Sequence, residues 1–180
     1  MIFDGTDKPM EDIEVRLDSG EITRTAQQGL FFIKRPKAGK VTVRMEIDGI
    51  PSGYRTRTPI EKEFTAEPGK SIEYHMVFTA DRMVSGRIFT DGDGDSVYTD
   101  NQKDRGIAGV RVTASGVAAI TDAEGRYILR GLKPGSYSIE VDLKSLPTRF
   151  TIKKSPQPLE VPAEPYTRRD ADFIISGASS

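Results

Sequence analysis

Apolar and polar residues alternate along short runs of this chain. Residues 13–17 and 41–47 place every second side chain on one face of a pleated strand, and residues 110–113 and 137–143 repeat that period. Turn-forming residues separate the runs: Asp18-Ser19-Gly20, Pro36-Lys37-Ala38-Gly39, Glu67-Pro68-Gly69 and Lys133-Pro134-Gly135. No window sustains the i, i+3, i+4, i+7 spacing of an amphipathic helix without a Gly or Pro interrupting it. Short strands punctuated in this way predict an all-β sandwich or barrel rather than crossover α/β units.

The pattern also repeats itself. Residues 29–34 align with 125–130, and without a gap Lys37-Ala38-Gly39 falls on Lys133-Pro134-Gly135. Val41, Val43, Met45 and Ile47 then fall on Tyr137, Ile139, Val141 and Leu143. Upstream, residues 13–17 answer 110–114; downstream, Tyr74-His75-Met76-Val77-Phe78 answers Ala171-Asp172-Phe173-Ile174-Ile175. Few positions are identical, but apolar pattern, turns and order agree. The expectation is two copies of one module, residues 1–81 and 82–180, joined near residues 79–82. That joint carries neither Pro nor Gly, so it predicts a restricted relative orientation. The first copy lacks a counterpart of residues 83–87, half of the opening strand. Either the sequence is a piece of a longer chain or that strand comes from elsewhere.

In the second copy, Thr121-Asp122-Ala123-Glu124-Gly125-Arg126-Tyr127 is followed by Leu132-Lys133-Pro134-Gly135-Ser136-Tyr137. Physically this is a turn: Asp122 can accept backbone N–H groups two residues on, Gly125 can take φ > 0, and Tyr127 re-enters the sheet facing the core. The segment resembles the carboxypeptidase regulatory-like, collagen-adhesin B-type and serine-aspartate-repeat B-type domains of bacterial surface proteins. Residues 106–112 match the strand that precedes the hairpin in those domains. The resemblance covers nearly all of 82–175 and is weaker in the first copy, where Ala26-Gln27-Gln28-Gly29 stands in place of the turn. It implies two tandem immunoglobulin-like (prealbumin-like) Greek-key β-sandwiches with a spacer, stalk or adhesion role outside the cytoplasm.

The strongest chemical signal is the run Asp91-Gly92-Asp93-Gly94-Asp95-Ser96-Val97-Tyr98-Thr99-Asp100-Asn101-Gln102-Lys103-Asp104. Carboxylates that alternate with glycines can curl onto one point, and clustered like charges repel unless a cation lies among them. Hard oxygen donors favour Ca²⁺. The expected ligands are the side chains of Asp91, Asp93 and Asp95 and the carbonyl of Val97, with Asp100 and Asp104 closing the shell. This is not an EF-hand: Ser96 stands where that loop needs Gly, Gln102 where it needs a bidentate Glu, and strands rather than helices flank it. Serine-aspartate-repeat B-type domains carry a similar calcium loop; here it is two residues longer, with Asp104 in the place of their final acidic ligand. A solvated acidic loop without metal is the alternative. The first copy offers only Asp4 and Asp7 beside Lys8, too few oxygens for a strong site.

Composition narrows the chemistry further. Across 180 residues, 26 Lys and Arg balance 27 Asp and Glu, so no basic field points to nucleic acid. There is no Cys, hence no disulfide framework, thiol nucleophile or Cys-based zinc site, and the single His75 falls on the polar side of its run. No apolar run approaches the ~18 residues of a membrane span. The basic residues Arg55, Arg57, Lys153, Lys154, Arg168 and Arg169 have acids close by and read as ordinary surface. Trp is absent, and the Phe and Tyr residues recur at core spacing. Nothing resembles a catalytic pair.

The chain is thus expected to be non-catalytic: calcium-stabilised spacer modules of a larger bacterial cell-surface or secreted protein. Its partners would be the other domains of that protein, with a protein or glycan ligand left open, and its location extracellular, cell-surface or periplasmic. The alternative is an accessory substrate- or partner-binding module of an extracellular enzyme or an outer-membrane export machine; an exposed apolar or aromatic patch would favour it.

Overall fold

The computed structural model of the chain describes residues 2–3, 8–34, 38–100, 103–152 and 155–177. Asp4, Asp7, Asn101, Gln102, Lys153 and Lys154 lie outside the described residues. The chain divides into two compact units, Met1–Asp81 and Arg82–Ser180.

The first unit contains β1 (Ile2–Phe3), β2 (Glu14–Leu17), β3 (Ile22–Arg24), β4 (Gly39–Met45), β5 (Tyr54–Thr56), β6 (Glu61–Ala66) and β7 (Met76–Ala80). A 3₁₀ turn spans Ile47–Gly49. One sheet runs in the order β3-β2-β4-β6, the other β1-β7-β5. Alternation sets the faces: Val15 and Leu17 of β2, Val43 and Met45 of β4, and Met76 and Phe78 of β7 are buried together, while their neighbours face outward.

The second unit contains β8 (Arg82–Thr90), β9 (Arg105–Gly106), β10 (Arg111–Ala114), β11 (Val117–Ile120), β12 (Arg126–Arg130), β13 (Gly135–Val141), β14 (Phe150–Ile152), β15 (Gln157–Val161), β16 (Tyr166–Arg168) and β17 (Phe173–Gly177). Its sheets run β11-β10-β13-β15 and β12-β8-β17-β14, with β9 and β16 also paired to β8. Val84 and Ile88 of β8, Leu129 of β12, Phe173 of β17, and Val112 and Ile139 from the facing sheet form one core. Both units are all-β, immunoglobulin-like sandwiches.

The strand registers repeat as the sequence does. Val15 opposes Met45 as Val112 opposes Val141, and Gly39 opposes Ala66 as Gly135 opposes Val161. Ile2 lies beside Met76, in a parallel pair, as Ile88 lies beside Phe173. The repeat breaks at one place. Residues 125–130 yield β12, which pairs along β8 from Arg87 to Met83. Residues 30–34, their counterpart, join no ladder. Among the described residues of the first unit, no strand corresponds to the stretch of β8 that holds β12.

A candidate metal centre between β8 and β9

The acidic run connects the end of β8 at Thr90 to the start of β9 at Arg105, and these strands pair antiparallel through Phe89–Gly106 and Thr90–Arg105. The pairing fixes both ends of the loop side by side, so Asp91 and Asp104 face each other across its neck. Asp91 is half-buried and Asp104 buried. Carboxylate oxygens of Asp91, Asp93 and Asp104 all lie within 4.8 Å of one another.

Backbone amides shape the cluster. The Asp91 carboxylate accepts the N–H groups of Gly94 at 2.6 Å and Ser96 at 3.0 Å. Asp104 accepts from Gly92 N at 2.9 Å through one oxygen, and from Thr99 N at 2.8 Å and Thr99 Oγ1 at 3.1 Å through the other. These donors, those of Gly92 and Thr99 first, hold the Asp104 carboxyl below the usual carboxylate range. An ionised oxygen has two lone-pair directions, so Asp104 Oδ1, which accepts one N–H, can still face a cation, whereas Oδ2 already accepts two donors.

Two glycines have distinct roles. Gly94 sits at φ +84°, where a residue with a Cβ is strained. Gly92 is needed for space: a Cβ there would lie 2.2 Å from the Lys103 carbonyl oxygen. Without a Cβ at Gly92 the backbone at the two ends of the loop can approach this closely, next to Asp91 and Asp104. Behind the loop, Tyr98 packs edge-on against the buried Phe89 at 5.4 Å, and the Arg87 guanidinium lies 3.5 Å from the Tyr98 ring centre.

Of the expected ligands, the structure gathers Asp91, Asp93 and Asp104. Asp95 stands apart from that group and accepts the Val97 N–H at 2.8 Å. Asp100 is exposed and is not among the converging carboxylates, and Val97, expected to offer its backbone carbonyl, has an exposed side chain. Sequence spacing weighted the run from 91 to 97 evenly, whereas the strand pairing favours the two ends. The Gly92–Lys103 contact and the Thr99 donors were missed; an Asp next to the start of a paired strand, matched by an Asp at the end of its partner, was the available signal.

The Asp122 turn is structural. Its Oδ1 accepts Glu124 N at 3.0 Å and Arg126 N at 2.8 Å, Gly125 takes φ +76°, and Tyr127 is buried. His75 lies on the exposed face of its run.

Comparison with known proteins finds similarity to two curated Staphylococcus epidermidis proteins. Serine-aspartate repeat-containing protein F of Staphylococcus epidermidis strain ATCC 12228 is 27% identical over 207 aligned positions covering 99% of this chain. A second Staphylococcus epidermidis protein of that name matches at 27% as well. The chain spans about an eighth of the length of these relatives, 12% and 11%. No family model matches the chain. Among solved structures, the minor pilin of Streptococcus agalactiae aligns over 96% of this chain and 87% of its own, at 11% identity and a TM-score of 0.40. The shaft pilin SpaA of Lactobacillus rhamnosus GG aligns over 96% and 94%, at 10% identity and a TM-score of 0.38.

Proposed function

We propose that this chain is a pair of non-catalytic structural modules of a larger bacterial cell-surface protein, the second of them stabilised by calcium. The observation that carries the calcium reading is the convergence of Asp91, Asp93 and Asp104, from opposite ends of one loop, within 4.8 Å. The surface role draws its support from similarity, over 99% of this chain and 12% of the relative, to a serine-aspartate repeat-containing protein.

Asp91, Asp93 and Asp104 would hold the ion. A bound Ca²⁺ supplies positive charge that offsets the mutual repulsion of the carboxylates. The residues themselves tie the loop: Asp91 organises its first turn through Gly94 and Ser96, and Asp104 fastens its last to Gly92 and Thr99. Because the unfolded loop cannot gather these oxygens, binding stabilises the folded unit by mass action. The modules would then set spacing and orientation for the rest of the parent protein.

An accessory binding module is a second reading, favoured by one observation: the first unit bears an apolar groove edged by Phe32, 73% exposed, and Ile72, 44% exposed. Thermal unfolding of the whole chain in excess calcium and in excess chelator separates the readings. The structural reading expects a calcium-dependent rise in the melting of the second unit alone; identical curves would overturn it.

A further inference from the structure

Strand β11, Val117–Ile120, ends one sheet of the second unit, and among the described residues no strand pairs with its outer side. Three other edge strands carry residues that block pairing with another chain. β6 has Glu61, Lys62 and Glu63, β12 has Arg126 and Arg130, and β15 has Pro158 and Glu160. β11 reads Val-Ala-Ala-Ile, with neither charge nor proline. Ala118 and Ile120 are exposed, Ile120 at 67%. Val117 and Ala119 pack against the core yet stay partly exposed, so the core is open along this edge.

The hairpin decides where the backbone groups point. β10 and β11 are joined by Ser115 and Gly116, both at positive φ, and Ala114 opposes Val117. A two-residue turn of this kind closes on a hydrogen-bonded pair. At the other end, Thr121 N donates to the Val110 carbonyl at 2.9 Å. Val117, Ala119 and Thr121 therefore spend their main-chain groups on β10. Ala118 and Ile120 alternate with them and turn N–H and C=O to the free edge. Those groups close on a copy of themselves in one antiparallel register. Ala118 then opposes Ile120 of a second chain, Ile120 opposes that chain's Ala118, and Ala119 lies on the two-fold axis facing its own copy. Each Ile120 falls on an alanine, bulky on small. Continued outward, the register sets Asp122 against Gly116 and Glu124 against Ala114, so no like charges meet.

We propose that the edge of β11 is a self-association surface: a second copy of this chain adds its own β11, antiparallel about Ala119, and the β11-β10-β13-β15 sheets of the two chains become one continuous sheet. This is strand addition at a sheet edge, with main-chain bonds giving affinity and the Ile120–Ala118 fit giving register. The contact is smaller than the ~1,200 Å² of stable interfaces, so the pairing is reversible and grows where chains are crowded. It is independent of the calcium reading, whose loop joins β8 to β9.

The chain has no Cys, so single cysteines report the register. Ala119→Cys sets the two copies across a non-hydrogen-bonded pair, with Cα atoms about 4.5 Å apart and within reach of a disulfide. Ala118→Cys leaves its copies out of step by two residues, farther apart than the roughly 7 Å a disulfide spans. On mild oxidation of the whole chain, Ala119→Cys should form a linked dimer at least about tenfold faster than Ala118→Cys. In sedimentation, the mean mass of the parent should rise at least halfway toward two chains between about 10 μM and 1 mM. Ile120→Lys, on an exposed side chain, should hold the mass at one chain with an unchanged melting temperature. Ile128→Lys, on the exposed face of β12, should leave the rise intact. A parent that stays a single chain at about 1 mM would overturn the proposal. So would equal linking at positions 118 and 119, a rise that survives Ile120→Lys, or an equal loss in Ile128→Lys.

Discussion

Replacing Gly92 by Ala tests the loop geometry without removing a carboxylate. The added Cβ would stand 2.2 Å from the Lys103 carbonyl oxygen and 2.8 Å from its carbon, against 3.4 Å or more in ordinary contact. One end of the loop must then move by about an ångström, as overpacked sites do, at about 1–3 kcal/mol. In a unit of this size that lowers the melting temperature by about 4–8 °C per kcal/mol. The same movement carries Asp104, next to Lys103, away from Asp91 and Asp93. At a hundredfold excess of calcium over its dissociation constant the parent should gain about 2.7 kcal/mol; Gly92→Ala should lose most of that gain. Gly94→Ala is the control: it costs about 1–2 kcal/mol in backbone strain at positive φ but meets no atom within 4 Å, so the ends of the loop stay where they are. Calorimetric melts of both variants in calcium and in chelator decide the matter. A Gly92→Ala protein that melts with the parent and keeps its full calcium response would refute the reasoning.

Asp93→Asn should abolish the calcium response, since the amide removes the charge but keeps an oxygen that can accept the 3.4 Å bond from Asp95 N; a full response in this variant would exclude Asp93 as a ligand. The carboxyls of Asp104 and Asp122 are both held low, chiefly by backbone N–H donors, so their stabilisation is present above the unfolded carboxylate range near about pH 4 and is lost as pH falls through the depressed folded values. Melting of the second unit should therefore fall steeply below about pH 4 in chelator, and a flat profile there would contradict it. Burial pushes the Asp172 carboxyl up, against the bond its Oδ1 accepts from Arg87 N at 2.7 Å, so stability is lost as pH rises through its folded value. Asp172→Asn keeps that acceptor and should raise the melting temperature at neutral pH; a drop would show that the charge itself is needed. Finally, β8 presents Arg87 and no Lys, and guanidinium cannot act as the nucleophile of an internal isopeptide bond, so the intact mass should equal that of the sequence. A deficit of one ammonia or one water would show such a bond.

Much of the fold was legible because burial and alternation coincide. Val15, Val43, Val112 and Ile139 were placed inward by period alone, and they are buried. The Asp122–Gly125 turn was legible because only a short side-chain acceptor followed by a glycine builds it. The β10–β11 hairpin was not: its turn is Ser115 at φ 52° followed by Gly116 at 75°, and a serine in that position carries little sequence signal. The state of residues 30–34 was hidden as well, since their apolar pattern matches β12 and the difference lies in the strand they would pair with. At the metal centre, sequence could mark the carboxylates but not weigh them. The pairing of Phe89 with Gly106 joins Asp91 to Asp104, a long-range fact that spacing within the run cannot express.

The central claim is that the β8–β9 loop holds calcium through Asp91, Asp93 and Asp104. A calorimetric titration of CaCl₂ into the whole chain tests it most directly. The account predicts one site per chain in the range of about 10⁻⁴–10⁻³ M or tighter, as in extracellular calcium modules, lost in Asp93→Asn. No saturable heat into the millimolar range, or a site that survives Asp93→Asn unchanged, would contradict it.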